Sequence, residues 1–218
     1  MITHHIAHSL PLPALPPGLY QYVLAGNGVF IRAERPGLSA CIGYAAINIR
    51  GLSVLEPSVV LQTKVPYGFV LDMLDFSRQA APNEILFYLL YDAGQQFFLP
   101  WRLVIPNQVQ SPSSVHPVDP YNPHGQEALI ECHSHHNMGA FFSSTDDKDE
   151  TGFRIYAVLG EISTRPVLAV RVGIYGHFYP IPAHWVFDLP ADAEVEDVLY
   201  RNISMEIDHY DHYNSSLD

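Results

Sequence analysis

The sequence predicts an α+β fold in which strands flank one clear helix. Short segments rich in β-branched and aromatic residues fill residues 19–65, and an amphipathic helical pattern follows at residues 67–80. Nearly continuous apolar runs of strand length come after it. Hydrophobic residues make up 48% of the 218 residues and charged residues only 16%, so the composition is that of a folded globular chain.

The first part of the chain, residues 1–65, is predicted to be a small β-rich N-terminal module. After a Pro-rich stretch at residues 10–18, four segments have the composition of short strands and are separated by Gly, Asn and Pro: LYQYVLA, GVFIRAE, ACIGYAAINI and SVVLQTKV. A chain of this length can hold such a module beside one compact catalytic domain.

The middle of the chain, residues 66–175, is predicted to be a second unit that forms the core of the protein. One helix runs from Tyr67 to Ala80, because apolar or small residues recur at helical spacing between charges: Val70, Met73, Leu74 and Ser77. The segment EILFYLLYD, which begins at Glu84, suits a buried strand, and QQFFLPWRLVIPN is expected to pair with it through a turn at Ala93 and Gly94.

The rest of the core is predicted to be a loop followed by three strands. Residues 111–126 contain four prolines with Ser, Asn, His and Gly, and are expected to form a loop near the site. ALIECHSH, FRIYAVLG and PVLAVRVGIY then have the composition of strands. Residues 176–218 form a C-terminal extension, for which we expect a docked strand or loop, a short helix near residues 193–206 and a frayed acidic tail.

Charge and targeting patterns narrow the function classes. Twenty-three acidic against eleven basic residues give a formal charge of -12, which would repel phosphate backbones, so nucleic acid is not an expected partner. No run of eighteen apolar residues exists and the N-terminus lacks a secretory pattern, so we expect a cytoplasmic protein without a membrane partner. Two cysteines, Cys41 and Cys132, are too few for a disulfide framework.

The most informative segment is HSHHNMGAFFSSTDD, residues 133–147. His133 and His135 are two apart on a predicted strand, so their side chains project to the same face. Asp146 follows a predicted turn at the start of a helix, where a carboxylate can supply a third ligand. Two imidazoles and one carboxylate leave a fourth position open on Zn2+, as in hydrolytic zinc sites. Alternatively, the histidines are a loop and a core residue, and Ser143 and Asp146 only cap a helix.

This segment resembles the H-[ST]-H-x7-S-x2-D signature of the JAMM (MPN+, JAB domain) zinc metalloproteases. The resemblance covers about residues 67–175, and NQVQSP at residues 107–112 echoes a further family motif. It implies a JAMM/MPN-like, cytidine-deaminase-like core, with a central mixed sheet flanked by helices. It also implies cleavage of peptide or isopeptide bonds of ubiquitin or ubiquitin-like proteins with one zinc ion per chain.

Carried over by position, the resemblance assigns a role to each motif residue. His133, His135 and Asp146 match the zinc ligands, and Ser143 matches a donor that steadies the oxyanion. Glu84 lies 49 positions before His133 at the head of a predicted buried strand, where the family has its general acid/base. Amide hydrolysis needs these functions together: a nucleophile, an electrophile and a proton carrier. Alternatively, Glu84 is a surface carboxylate at a strand end.

Two features depart from the family. Many JAMM proteins have Pro after the second His, where this chain has His136, for which the sequence indicates no role. Eukaryotic deubiquitinating members carry a ubiquitin-gripping insertion after the Ser-x2-Asp element, but only seven residues separate Asp146 from Arg154 here. Substrate binding must then involve residues 111–126, the N-terminal module or the aromatic residues 175–187.

The combination of HSHH-x-MGAFFS-x-TDD with GIYGHFYPIP is also similar to a bacterial subgroup, the PRTRC system protein A family. That similarity implies an operon that also encodes a ubiquitin-like small protein and an adenylating activating-type enzyme. We therefore expect a zinc isopeptidase or peptidase that acts on a ubiquitin-like protein or its conjugates. The rivals are a non-catalytic JAMM-like scaffold that binds a ubiquitin-like partner, and a small-molecule amidohydrolase.

Overall fold

The computed structural model describes residues 1–94 and 99–199. The N-terminal part of the chain forms a five-stranded sheet. The strands follow one another in chain order, and all pairs are antiparallel except the first: β1 (Ile2–Ile6), β2 (Tyr20–Ala25), β3 (Gly28–Arg35), β4 (Leu38–Ala46) and β5 (Ser58–Leu61). The four predicted strands are confirmed. The sequence analysis missed β1, because this edge strand has no buried face and ITHHI shows no alternation of apolar and polar residues.

A short strand, β6 (Val65–Pro66), leads into the one long helix among the described residues, α1 (Tyr67–Ala80). The predicted helix is confirmed, and its buried residues are the ones that the helical spacing indicated: Val70, Met73, Leu74 and Ser77. The buried hydroxyl of Ser77 donates to the carbonyl of Met73 at 2.7 Å and is thereby satisfied. The helix ends before Pro82, which has no N–H to continue it.

The central sheet has seven strands and is mixed. Its strands are β7 (Leu86–Tyr91), β8 (Trp101–Val104), β11 (Ile130–Ser134), β12 (Phe153–Gly160), β13 (Val167–Ile174), β14 (His177–Pro180) and β16 (Glu196–Asp197). In spatial order the sheet runs β14-β13-β12-β11-β7-β8, and β16 adds to β13. The neighbours β11 and β12 are parallel, whereas β7 pairs with β11 in the antiparallel sense.

The two faces of the central sheet have different surroundings. Side chains alternate along β11, so Ile130 and Cys132 project to one face while Glu131 and His133 project to the other. The first face belongs to the main core, which combines α1 with apolar residues of the N-terminal sheet, among them Ile31 and Ile42. The histidine face is therefore opposite the face covered by α1 and the N-terminal sheet.

The expectation that residues 111–126 form only a loop was wrong. A hairpin of β9 (Gln108–Ser111) and β10 (Ser114–Pro117) and a short helix, α2 (Pro123–Glu127), occupy this region. Three of the four prolines sit where proline is tolerated: Pro112 lies in the hairpin turn, Pro117 at a strand end and Pro123 in the first turn of α2. The side chain of Asn122 caps α2 by accepting from the His124 N–H at 2.8 Å.

Helices are fewer than the family resemblance implied. Within residues 1–94 and 99–199, α1 is accompanied by two short α-helices, α2 of five residues and α3 (Asp146–Asp149) of four, and by the helical residues 198–199. None of the helices in these ranges is long and apolar enough to cross a membrane. The sheet, rather than a layer of helices, holds most of the core.

The C-terminal extension docks on the core as predicted, through strands rather than loops alone. β14 pairs with β13, a 3₁₀ turn at Ala183–Trp185 follows, and β15 (Phe187–Asp188) pairs with β6. The expected helix near residues 193–206 begins later than predicted, because Glu196–Asp197 form β16 and only residues 198–199 of the described part are helical. Its remainder beyond residue 199 and the acidic tail lie outside the described residues.

Candidate metal centre

His133 and His135 converge at the carboxyl end of the central strand β11. Both are almost fully buried, with 9% and 6% of their surfaces exposed. Their Nε2 atoms are 3.1 Å apart, because side chains two residues apart along extended chain share a face. Ser134 between them points the other way, where its hydroxyl oxygen accepts from the Ile85 N–H at 3.0 Å.

A backbone carbonyl fixes the ring of His135. Nδ1 lies 3.1 Å from the Gly139 oxygen, and since a carbonyl can only accept, Nδ1 carries the proton. In the neutral ring Nε2 then has a free lone pair, as a metal ligand requires. Burial lowers the pKa of His135, and burial likewise lowers the pKa of His133, so both rings are held neutral.

Asp146 supplies a carboxylate oxygen to the same point. Its Oδ1 lies 3.6 Å from Nε2 of His133, and the candidate ligand atoms of His133, His135 and Asp146 all lie within 4.8 Å of one another. The other oxygen, Oδ2, accepts from the Ser143 N–H at 2.5 Å, while the Asp146 N–H donates to the Ser143 hydroxyl oxygen at 3.2 Å. This reciprocal pair resembles a capping box and orients Oδ1 toward the histidines.

The donor set fits a zinc ion. Two neutral imidazole nitrogens and one carboxylate oxygen form the ligand set of zinc sites that keep one position open for water. Without a cation, three acceptor atoms would face one another in a largely buried place, which is unfavourable unless a proton or a metal bridges them. The cluster could therefore hold a metal, and its chemistry favours zinc over the hard cations that prefer oxygen ligands alone.

Glu84 lies beside this cluster, at the point where the chain enters β7. Its N–H donates to the Ser111 carbonyl at 2.9 Å, and the next residue, Ile85, accepts from the Ser134 N–H at 3.0 Å. Continued by two residues, the antiparallel register of β7 with β11 sets Glu84 opposite His135. Burial, and then the charge of Asp146, raise the pKa of Glu84 to about 7 from its ordinary value of 4.5. Its carboxyl group can thus give or take a proton near neutral pH.

His136 does not join the ligand cluster, which among the described residues contains His133, His135 and Asp146. Its φ of 45° is in the left-handed region, so the chain turns away from the strand direction directly after His135. The His136 carbonyl accepts from the Ile162 N–H at 2.8 Å, which ties this turn to the end of β12. Proline, with φ fixed near −65°, could not adopt this conformation.

The loop of residues 136–145, here called the motif loop, packs directly on β12. The Glu161 N–H donates to the Met138 carbonyl at 2.8 Å, and a Cβ on Gly160 would lie only 2.3 Å from the Ala140 nitrogen. Only glycine permits this approach of two backbones. The sequence analysis did not single out Gly160, although an isolated glycine at a strand end can indicate close backbone approach.

Arg171 is a second residue that the sequence analysis missed. It lies on β13, is 6% exposed, and its guanidinium group contacts Asp147 and Glu150 of the segment that carries Asp146. A usable signal was present, because a single arginine inside the apolar strand PVLAVRVGIY requires a buried acidic partner.

The open side of the cluster has an apolar rim. Phe141 packs edge-to-face on the ring of His135, with centroids 4.7 Å apart, yet half of its surface is exposed. Met138 is 40% exposed on the same loop. Phe141 therefore presents an exposed apolar surface directly beside a candidate ligand.

A search of curated proteins finds no match. Residues 68–172 match the model of the Prok-JAB family, described as prokaryotic homologs of the JAB domain. The matched segment runs from α1 into β13 and contains the three candidate ligands and Glu84. The match supports placing residues 68–172 in the JAB/MPN family.

Proposed function

We propose that this protein is a zinc-dependent peptidase or isopeptidase that hydrolyses amide bonds of a ubiquitin-like protein or its conjugates. The observation that carries the proposal is the convergence of His133, His135 and Asp146 beside the buried carboxyl group of Glu84. A ligand set with an open position and a carboxyl group that titrates near pH 7 are the two parts that hydrolysis of an amide requires.

The proposed roles follow from the atoms that each residue presents. Zinc held by His133, His135 and Asp146 would supply a Lewis acid and lower the pKa of water to about 7. Glu84 accepts a proton from the attacking water and delivers it to the leaving amine, because its buried carboxyl group is on the residue opposite His135, beside the ligand cluster.

Ser143 is suited to donate to the developing oxyanion. Its hydroxyl oxygen already accepts from the N–H groups of Thr145 and Asp146, both at 3.2 Å. The hydroxyl proton then points away from these donors and is available to a negatively charged oxygen. Ser143 is held by its two hydrogen bonds with Asp146. Its hydroxyl group would therefore be oriented before substrate binds.

The ubiquitin-like substrate is proposed from the similarity to JAMM proteins and to the PRTRC system protein A subgroup. In that setting the partners are a ubiquitin-like small protein and an adenylating activating-type enzyme of the same operon. α3 ends at Asp149 and β12 begins at Phe153, which leaves no space for the ubiquitin-gripping insertion of eukaryotic members. We assign substrate binding to the β9–β10 hairpin, because the Ser111 carbonyl is bonded to the Glu84 N–H.

Replacing Glu84 by Gln tests this function. The probe is ubiquitin with a fluorogenic amide at its C-terminus, and the comparison is an acetylated amide of the same fluorophore. We expect the wild type to release the fluorophore from ubiquitin much faster than from the small amide. Glu84→Gln should retain zinc and lose about 10²- to 10⁴-fold in rate.

Two outcomes separate the rival functions. Equal turnover of the small amide would indicate a small-molecule amidohydrolase. A wild type that binds zinc and the ubiquitin probe but releases no fluorophore would indicate a non-catalytic scaffold in which zinc contributes only stability.

A further inference from the structure

Arg171 joins the central sheet to the segment that carries Asp146. Its Nε and Nη2 donate to Oε2 of Glu150 at 2.9 and 2.6 Å, and its Nη1 donates to Oδ1 of Asp147 at 2.6 Å. Glu150 is 5% exposed, so this pair is buried, whereas Asp147 reaches it from the surface. Charge-assisted bonds of this length with a planar donor fix both distance and orientation.

Two aromatic rings hold the same guanidinium group. Its central carbon lies 4.0 Å from the ring centroid of Phe142 and 3.8 Å from that of Phe178. Phe178 belongs to β14, and Phe142 immediately precedes Ser143. Phe178 thus packs on the Arg171 guanidinium group from within the sheet, and Phe142 packs on it from the segment that contains Ser143 and Asp146.

The contacts of Arg171 lie before and after the candidate ligand Asp146 in the sequence. Phe142 comes directly before the Ser143 cap, and Asp147 comes directly after Asp146. α3, which begins at Asp146, has only four residues and cannot hold its own position, because a single helical turn is unstable in isolation. Its placement therefore depends on contacts with the sheet. Arg171 supplies one hydrogen bond to Asp147 within α3, two to Glu150 directly after it and a ring contact to Phe142 before it.

A buried ion pair is a poor means of stabilising a fold. Removing two charges from water costs about as much as their attraction returns, and apolar replacements are often no less stable. What the pair does supply is a fixed geometry, since the guanidinium group donates to its partners in one plane only.

We propose that Arg171 is a positioning residue of the metal centre, which sets Asp146 and Ser143 against the two histidines by anchoring Phe142, Asp147 and Glu150. The inference rests on the proposed zinc site and concerns how that site is held. The inference does not extend to Arg154 on the neighbouring strand. The Arg154 guanidinium group donates to Glu131 and to the Gly125 carbonyl instead.

The test compares Arg171→Lys with the matched control Arg154→Lys. Lysine keeps the charge but loses the planar set of donors and the stacking between the rings. Zinc affinity is measured by competition with a chromophoric chelator, and the ligand geometry by the visible spectrum of the Co2+-loaded protein. We expect Arg171→Lys to bind zinc about 10- to 100-fold more weakly with an altered Co2+ spectrum. Arg154→Lys should retain both wild-type properties.

The double variant Arg171→Met with Glu150→Gln covers the case in which the single variant fails to fold. It leaves no buried charge without a partner, so its metal-free form should melt close to the wild type. Weak zinc binding by this folded variant supports the positioning role. If the double variant has wild-type zinc affinity and an unchanged Co2+ spectrum, the positioning role of Arg171 is overturned and the proposed function is not. A wild type that binds no zinc would overturn the proposed function as well.

Discussion

Glu84 shows most clearly how its environment changes the chemistry of one residue. It is buried beside the acidic Asp146, and both effects oppose its negative charge, so its pKa rises to about 7. In the unfolded chain the same carboxyl group titrates near 4.5. Between these two values the folded, metal-free protein holds a proton that the unfolded chain has lost, so this group destabilises the fold as pH rises.

Glu84→Gln should remove this pH dependence. We expect the metal-free variant to gain stability over the metal-free wild type as pH rises from 4.5 to about 7, by at most about 1.4 kcal/mol per pH unit, with no further gain above that range. Urea unfolding at several pH values measures the difference. A constant difference across the range would show that Glu84 titrates normally.

His136 is constrained by backbone conformation rather than by metal binding. His136 has a φ of 45°, a region that glycine adopts without strain. We therefore expect His136→Gly to keep zinc and to be at least as stable as the wild type. His136→Pro, which restores the residue common in JAMM proteins, should lower stability by about 3 kcal/mol or more. Thermal melting and zinc content of the two variants check this. Equal stability of both would show that the turn is not required.

The sequence identifies site residues when a local pattern carries them. His133 and His135 are two apart on a strand, and Ser143 and Asp146 are three apart at a helix start, so both relations are visible in one short segment. Arg171 could not be assigned in this way, since its partners lie 21 and 24 residues earlier and meet it only through the fold.

The same distinction holds for helices and strands. α1 was predicted correctly because its buried residues follow the helical period, and β12 because FRIYAVLG is apolar except for Arg154. The hairpin β9–β10 was misread as a loop because its prolines occupy turn and end positions that a strand tolerates. Composition alone could not distinguish these positions from a true loop.

The packing of the motif loop on β12 gives a prediction for this element. In Gly160→Ala the new methyl group would meet the Ala140 nitrogen at 2.3 Å, so the loop must move. We expect a loss of about 1–3 kcal/mol together with weaker zinc binding. The control is Gly68→Ala, which adds a methyl group to the exposed start of α1 with nothing within 4 Å. If Gly160→Ala bound zinc like this control, the loop contact would be irrelevant to the site.

At the scale of the whole molecule, the N-terminal sheet and the central sheet share one core. Ile31 of β3 is fully buried in the same cluster as residues of α1 and β11. This cluster lies on the face opposite the histidines, so the N-terminal sheet supports the sheet that carries the site. The division of the chain at residues 65 and 175 stays a prediction.

The shared core predicts cooperative unfolding. Ile31→Ala should cost about 2–5 kcal/mol and lower the melting of both sheets together. Val60→Ala, at a position that is 58% exposed, should have little effect. Far-UV circular dichroism and tryptophan fluorescence, which reports on Trp101 and Trp185, should show one melting temperature. Two separate transitions in Ile31→Ala would contradict a common core.

The central claim is that His133, His135 and Asp146 hold a zinc ion, and metal analysis of the purified protein tests it most directly. We expect one zinc ion per chain in the wild type and in the His136→Gly control, and a loss of bound zinc in His135→Ala, because two ligands leave the ion too weakly held. Zinc retained in full by His135→Ala, or absent from the wild type, would contradict the account.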